Sequence, residues 1–523
     1  MSKKISNSIK DFKCVVNDKF INKAIELEPK IYENIRKPMS IVNILKEGKD
    51  WKISSSISID ELKNMEFYKN DKVCLDFGNH YVGYITFTIK PIGSPPDAPA
   101  HIRIKLGEHL CEIGEEASSY DGMISSSWIQ EEFLHIDVLP YEVKLPRRYA
   151  FRYIDIKVLD TSPKYRLVIE DIYCKTVTSA NIENVEKINS SSDIINKIDT
   201  VSLKTLEDCM QSVFEDGPKR DRRLWIGDLR LQALTNYLTF KNNDLVKRCL
   251  YLFAGVTQND GKVGACLFLQ PNIIVDDTSL FDYSLFFISC LYDYYKATND
   301  KETLNELWDT AYRQIEISET RLDNNYILKD SDDWWCFLDW NDELNKQAGA
   351  QAIFIYTLKQ ALELAKILND IDKEKHINEL LNKLVNASIK YLWDNDKNFF
   401  VSGKDKQISW ASQIWFILAE VFDKEKNAEI LDNLFFNNPK IGMVTPYMYH
   451  HLIDALYKNN RREKAIQCML DYWGSMVEDG ADCFWELYNK DDKYFSPYGS
   501  NIINSYCHAW SCTPSYFIRT YNL

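Results

Sequence analysis

The chain has 523 residues, more than one hydrophobic core usually serves, so the length predicts two or three domains. A hydrophobic fraction of 45% with mixed charges is typical of a globular protein and not of a disordered one. The 63 Lys and Arg against 77 Asp and Glu leave a net charge of −14, which argues against nucleic acid and anionic membranes as partners. Aromatic residues reach 13%, and such rings fill cores or line pockets for ring-shaped ligands.

Compartment and metal content are indicated by the first residues and by the cysteines. The start, MSKKISNSIKDFKCVV, has no apolar stretch of signal-peptide length, and no later run is long enough to span a membrane. The 13 cysteines show no CxxC or CxxxC spacing, which predicts reduced thiols in a cytoplasmic protein. His450 and His451 are adjacent and would not share a helix face, so we predict no metal site and no cofactor.

The first part of the chain has the alternation of β-strands. In HIRIKL and in RYIDIKVLD, apolar residues occupy every second position, and Gly and Pro breaks separate such runs between about residues 50 and 178. Short strands without intervening helices predict an antiparallel β-sandwich of jelly-roll type. We assign it to residues 1–185, although residues 1–50 have no clear pattern of their own and are attached to it only by position.

The character of the sequence changes to helical periodicity near Ser190. A Ser/Asp cluster precedes Ile194, Ile198 and Val201 at helical spacing, as expected at the start of a helix. Apolar stripes continue almost to the end of the chain, which allows about a dozen helices of ordinary length. An even dozen is what an (α/α)₆ toroid requires, whereas a superhelical repeat array would need a fixed sequence period that we do not find. We therefore predict a toroid over residues 186–523.

One stretch, DGPKRDRRLWIGDLR from Asp216 to Arg230, combines many charges with a tryptophan. On composition alone such a run predicts a solvated surface. Three details favour a site instead. Pro218 keeps the first acids on a loop, Trp225 would be costly to expose, and Asp228 falls near a helix start, where backbone N–H groups orient a carboxylate.

Four ordered segments carry a family resemblance. DGPKRDRRLWIGD resembles the signature of the α-L-rhamnosidases of glycoside hydrolase family 78, roughly D-C-P-x-R-E-x-x-G-W-x-G-D. FGNHYVGYITFTI is similar to the β-sandwich before their catalytic domain, and GADCFWELYNK and NSYCHAWS are similar to two late segments of that domain. The resemblance implies an inverting, cofactor-free glycoside hydrolase that releases a terminal sugar from small glycosides or oligosaccharides.

The resemblance also implies roles for individual residues. Asp221 falls at the general-acid position and Glu486 at the general-base position. The residues that match sugar-binding positions are Asp216, Arg220, Trp225, Asp228 and His508. In SDDWWCFLDWNDE, Trp340 resembles a tryptophan that stacks on substrate, while Trp334 and Trp335 stay unranked and Asp276, Asp277 and Asp282 are further candidates for the mouth of the site.

This sequence departs from the family pattern at three positions and in its length. Glycine replaces the usual cysteine at 217, leucine replaces glycine at 224, and aspartate replaces glutamate at 221; the sequence also lacks the C-terminal β-sandwich common in the family. Aspartate is about 1.5 Å shorter than glutamate, so either the loop moves inward or the substrate differs. Two alternatives therefore stay open: a catalytically silent carbohydrate-binding protein, and the same toroid acting on a different sugar. The expected partner is a small carbohydrate, and the formation of a homo-oligomer stays open.

Overall fold

The computed structural model describes residues 14–523, which form a β-sandwich followed by a ring of helices. The strands are β1 Cys14–Val16, β2 Tyr32–Arg36, β3 Ser40–Glu47, β4 Asp50–Ser58, β5 Lys72–Gly93, β6 Ala100–Gly107, β7 Glu131–Ile136, β8 Tyr141–Lys144, β9 Tyr149–Asp160, β10 Tyr165–Thr178, β11 Leu224–Trp225, β12 Val256–Gln258, β13 Cys266–Phe268, β14 Ile274–Val275, β15 Trp393–Asp394 and β16 Phe399–Phe400. The helices are α1 Asp18–Glu26, α2 Leu110–Gly114, α3 Asp193–Cys209, α4 Ile226–Leu238, α5 Asn243–Gly255, α6 Phe281–Thr298, α7 Lys301–Glu319, α8 Gln347–Leu368, α9 Ile371–Tyr391, α10 Trp410–Leu418, α11 Lys424–Asn437, α12 Pro446–Lys458, α13 Arg462–Met469, α14 Ser475–Glu478 and α15 Pro514–Tyr521.

The long strand β5 organises the sandwich. Its first half pairs with β3 and β9 and its second half with β8 and β10, so one bent strand serves both layers. All these pairings are antiparallel, and the strand order is β2-β10-β5-β9-β6-β7. Phe87, Ile104 and Ile154 are fully buried between the layers, as the period-two alternation requires. The predicted antiparallel sandwich is confirmed.

Residues 14–27 pack on the helical region, whereas the sequence predicted that the first 50 residues belong to the sandwich. Strand β1 pairs with β12, and α1 packs on α5, where the rings of Phe20 and Tyr251 lie 5.7 Å apart. The sheet itself begins only at Tyr32. The last sandwich strand ends at Thr178 and α3 begins at Asp193, while the domain boundary after residue 185 stays a prediction.

The helical region is the predicted (α/α)₆ toroid. Helices α4, α6, α8, α10 and α12 contact one another in succession, and α15 contacts both α12 and α4, so that six inner helices close a ring. The outer helices alternate with them along the chain, which makes neighbouring helices antiparallel. No helix within residues 14–523 is both long enough and apolar enough to cross a membrane.

Loop length differs sharply between the two ends of the toroid. Inner-to-outer connections are short: α6 ends with Asn299 in the left-handed conformation and α7 starts from the Asp300 cap, and Asn369 and Asp370 repeat the arrangement between α8 and α9. Outer-to-inner connections are long, for example residues 320–346 and 479–513. Because the helices alternate in direction, all the long loops lie at one end, where the catalytic sites of such folds can form.

Candidate active site

The long loops carry the residues that the sequence singled out. Asp216, Arg220, Asp221 and Trp225 lie between α3 and α4, and Asp228 lies in the first turn of α4. Trp340 lies between α7 and α8, whereas Glu486 and His508 lie between α14 and α15. The first and last of these loops meet, because the amide of Ala509 donates to the carbonyl of Asp216 at 2.8 Å.

Asp216 organises the first loop. Its amide donates to the carbonyl of Arg223 at 3.0 Å, and its carboxylate accepts from the amides of Asp221 at 3.2 Å and Arg223 at 3.1 Å. The loop is thereby closed around a buried carboxylate. Burial raises the pKa of Asp216 to about 7, and the negative charge of Asp221 adds to the rise. Asp221 itself is more open, with 21% of its side chain exposed.

Close packing around position 217 explains why this chain has glycine where the family pattern has cysteine. A Cβ at this position would lie 2.4 Å from the carbonyl oxygen of Arg220 and 2.7 Å from Oγ of Ser505. These distances are far inside van der Waals contact, and one of the atoms is backbone, which cannot swing aside. The loop conformation of this chain therefore excludes the usual cysteine.

The charge run around Arg220 is not a solvated surface. Lys219 is 1% exposed, and its Nζ lies 2.6 Å from Oε1 of Glu112 and 3.2 Å from Oε2 of Glu108, so it reaches into the sandwich. Arg222 donates from Nε to the carbonyl of Lys219 at 3.3 Å. Each cation has a specific partner, and the interpretation of the run as a solvated surface is wrong.

Arg220 lies between the two predicted catalytic carboxylates. Its Nη2 donates to Oε2 of Glu486, and its Nη1 lies 3.6 Å from Oδ1 of Asp221. Its Nε donates to the carbonyl of Ile503 at 3.2 Å, which fixes the plane of the guanidinium. The guanidinium also stacks over the ring of Tyr498 at 4.4 Å. The arginine predicted to bind sugar thus also bridges two loops.

Glu486 is held in its ionised form. Its side chain is buried, which acts to raise its pKa, but the positive charges of Arg220 and His508 and the hydroxyl of Tyr498 outweigh burial. The pKa of Glu486 is therefore below its ordinary value. Tyr498 donates from its hydroxyl to Oε1, so both carboxylate oxygens have a partner that favours the negative charge.

Asp228 and His508 form a buried pair beside this carboxylate. Nε2 of His508 lies 3.1 Å from Oδ1 of Asp228. Burial raises the pKa of Asp228; it acts to lower the pKa of His508, but the hydrogen bond to Asp228 and the charge of Glu486 outweigh it, so that pKa is raised. Among the described residues, Nδ1 of His508 is buried without a hydrogen-bond partner, which suits a ligand contact.

The tryptophans take different positions around the site. The ring of Trp340 lies 5.7 Å from the ring of Tyr498. Because Tyr498 donates a hydrogen bond to Glu486, Trp340 borders the proposed catalytic glutamate. Trp225 packs edge-on against Tyr283 at 6.2 Å. Trp334 instead packs on Phe281 at 5.1 Å and donates from its indole to the carbonyl of Lys329, while Trp335 is 47% exposed. The ring of Trp340 meets that of Tyr498 edge-on, at an interplanar angle of 76°.

The three further acidic candidates, Asp276, Asp277 and Asp282, have different surroundings in the structure. Asp282 is fully buried and accepts from the amides of Phe337 and Leu338 at 3.0–3.1 Å, so it anchors the loop after α7 instead of lining the mouth. Asp276 accepts from the thiol of Cys266 at 3.2 Å and lies 3.8 Å from Arg223. Asp277 is exposed.

Tyr498 is the functional candidate that the sequence did not indicate. It lies in SPYGS, a stretch without a recognisable motif, and its contact with Glu486 depends on a loop conformation. Its carbonyl accepts from the amide of Met123, which belongs to the sandwich, at 2.8 Å. Beside it a groove of 580 Å³ runs between the two domains, lined by Lys46 and Glu115 on one side and by residues 494–496 and 499–501 on the other.

Comparison with known proteins was decisive for the family. Residues 183–521 match the model described as the bacterial α-L-rhamnosidase six-hairpin glycosidase domain, and residues 38–176 match the N-terminal domain of glycoside hydrolase family 78 α-rhamnosidases. The chain belongs to this α-L-rhamnosidase family. It is a member of a glycoside hydrolase family, as the resemblance implied.

Relatives of the α-L-rhamnosidase family differ in how much of their length they share with this chain. A rhamnosidase from Klebsiella oxytoca with rhamnose bound is 47% identical, with a TM-score of 0.96 over 98% of this chain and 100% of that one. The family 78 rhamnosidase of Bacillus sp. GL1 is 20% identical, with a TM-score of 0.71 over 86% of this chain and 46% of that one, and shows the shared fold. A curated α-L-rhamnosidase from Formosa agariphila is 22% identical over 236 residues, which cover 42% of this chain and 24% of the relative.

Proposed function

We propose that this chain is an inverting α-L-rhamnosidase in which Asp221 is the general acid and Glu486 the general base. One observation supports the pairing of these two carboxylates in one site: Arg220 contacts both, although Glu486 lies 266 positions further along the chain. The 47% identical relative is a rhamnosidase with rhamnose bound, which supports a terminal α-L-rhamnosyl group on a small glycoside as the substrate.

The protonation states of the site fit this chemistry. Inversion needs an ionised carboxylate to activate water and a protonated one to supply a proton to the leaving oxygen, about 6.5–9.5 Å away from the first. The lowered pKa of Glu486 keeps it ionised, as a base requires. The pKa of Asp216 is raised to about 7 by burial and by the negative charge of Asp221, so below that pH Asp216 carries a proton next to Asp221. We propose that Asp221, the more exposed of the two, delivers that proton.

Sugar recognition is assigned to the remaining residues around the two carboxylates. Trp340 and Trp225 offer flat faces for a pyranose ring, and within the described chain the indole Nε1 of Trp225 has no protein partner. Asp228, His508 and Arg220 offer charged hydrogen-bonding groups for ring hydroxyls.

The shorter acid and the glycine at 217 are linked in this proposal. A side chain at 217 would push against the carbonyl of Arg220, the residue directly before Asp221. Glycine lets the turn close tightly, and we propose that this brings Asp221 inward by about the 1.5 Å that it lacks relative to glutamate. No change of substrate class is then needed to explain the departure.

A panel of aryl glycosides followed by NMR tests the proposal. Aryl α-L-rhamnoside should be cleaved, and the first anomer released should be β-L-rhamnose, because inversion places water opposite the leaving group. Release of the α anomer first would overturn the inverting assignment. Cleavage of a different glycoside, without cleavage of the rhamnoside, would show that the toroid acts on a different sugar. Binding of rhamnose without cleavage of any aryl glycoside would identify a silent binding protein.

A further inference from the structure

A second cluster of side chains, all of types that bind metal ions, is buried in the molecule and plays no part in the proposed reaction. It consists of His80 on β5, Asp208 near the end of α3, and Cys483 and Cys507 in the last long loop. One ligand atom from each lies within 4.8 Å of all the others, and all four residues are buried. Four separate segments from both domains therefore converge on one point.

The set of atoms matches the preferences of zinc. Two thiolates, an imidazole and a carboxylate are the ligands that bind Zn²⁺ in closed tetrahedral sites. With metal–ligand distances of about 2.0–2.3 Å, the edges of such a tetrahedron measure about 3.3–3.8 Å. Sγ of Cys483 lies 3.7 Å from Oδ2 of Asp208, already at such an edge. Nδ1 of His80 lies 2.7 Å from the same oxygen and needs to move by only about half an ångström.

The surroundings of the cluster also match a metal site. Nε2 of His80 lies 3.1 Å from Oε1 of Glu108, and a carboxylate on the outer nitrogen is the usual device that orients a metal-binding histidine. Nζ of Lys204 donates to Oδ1 of Asp208 at 2.8 Å, which leaves Oδ2 for the cluster. Two thiolates and the carboxylates of Asp208 and Glu108, against Zn²⁺, Lys204 and Lys219, sum to zero charge, which a buried site requires.

We propose that His80, Asp208, Cys483 and Cys507 bind one structural zinc ion. Cys483 precedes Glu486 by three residues, and Cys507 directly precedes His508. The ion would thereby tie the sandwich and α3 to the loop segments that hold the base and the sugar-binding histidine. The prediction of no metal rested on spacing along the sequence, which does not reveal four ligands from four segments.

The intact protein provides the first test. Protein produced in zinc-supplemented medium and then dialysed should retain about one zinc per chain by elemental analysis. Unfolding with chelator under reducing conditions and refolding with Co²⁺ should produce the intense thiolate–cobalt absorption of a tetrahedral site. Less than about a tenth of a zinc per chain, together with no cobalt absorption, would overturn the proposal.

Matched cysteine variants locate the ion. Cys483→Ser and Cys507→Ser should lose the zinc and the cobalt absorption. Cys209→Ser should keep both, although its sulfur lies 3.9 Å from that of Cys507, because Cys209 is not one of the four ligands. Zinc retained in both ligand variants would place the ion elsewhere and contradict the assignment. Because the metal content of the wild-type protein is measured independently, a variant that fails to fold does not remove the test.

Discussion

Arg220 and Glu486 are joined by a buried ion pair across 266 positions of sequence. The arginine comes from the loop that enters the first inner helix and the glutamate from the loop that precedes the last one. A ring of alternating helices places these two loops side by side, and the ion pair fixes their distance. The pair therefore links the geometry of the fold directly to the protonation state of the proposed base.

Glu486→Gln should abolish hydrolysis and also weaken the fold. The amide cannot act as a base, and it leaves the buried guanidinium of Arg220 without its counter-charge, which costs about 3–5 kcal/mol. We expect turnover to fall at least about 10³-fold, with a lower midpoint of thermal unfolding. Steady-state kinetics and calorimetry measure both effects. Wild-type turnover in a folded variant would remove Glu486 from the role.

Asp221→Asn should reduce turnover to an extent that depends on the leaving group of the substrate. We expect turnover to fall about 10²–10⁴-fold on glycosides with alkyl leaving groups and much less on nitrophenyl glycosides, which need little help from an acid. The same substitution at Asp405, an exposed loop residue, serves as the control and should change neither rate. An equal loss on both substrate types would show that Asp221 acts in some other way than as proton donor.

Tyr498→Phe should move the acidic limb of the pH profile. The tyrosine hydroxyl stabilises the negative form of Glu486, so its removal raises the pKa of that carboxyl. The limb of kcat/KM that reports ionisation of the base should shift to higher pH by up to about one unit. Tyr494→Phe, in the same segment but next to Trp51, is the matched control. An unchanged acidic limb would show that the contact does not tune the base.

Gly217→Ala should destabilise the protein by about 1–3 kcal/mol, because the added carbon meets the carbonyl of Arg220 at 2.4 Å. At Gly442 an added Cβ has no atom within 4 Å, and Gly442→Ala should leave stability within about 0.5 kcal/mol of wild type. Urea unfolding of the two variants makes the comparison. Equal stability of both variants would contradict the tight loop that we describe around Asp216.

The difference in unfolding free energy between Asp216→Asn and wild type should shift in favour of the variant as the pH rises, although the amide loses one of the two backbone hydrogen bonds that the carboxylate accepts. The folded pKa of about 7 lies above the value of an unfolded aspartate, so the folded state binds more protons and loses stability as pH rises from about 4 to 7. The variant has no such loss. Glu306, whose pKa is lowered to about 2 by Lys23, Tyr251 and Lys19 against the effect of burial, provides the contrast. Glu306→Gln should lose stability at neutral pH and approach wild type near pH 2.

The sequence predicted the fold well because both domains depend on periodicity. Alternation in HIRIKL and helical stripes after Ser190 are local signals, and the sandwich and toroid follow from them. Pro218 and the start of α4 near Asp228 were also predictable from local chemistry. The partners of Lys219 and the contact of Tyr498 with Glu486 depend on segments far apart, which no local pattern encodes.

The burial of Lys219 makes the toroid of this chain depend on its own sandwich. Its ammonium group is neutralised by Glu108 and Glu112, which belong to the sandwich, while its neighbours along the chain are Arg220 and Asp221. A recombination event that exchanged the sandwich for an unrelated module would leave a cation without counter-ions one residue from Arg220. A chimera that joins this toroid to another sandwich should therefore retain activity only when carboxylates equivalent to Glu108 and Glu112 are kept.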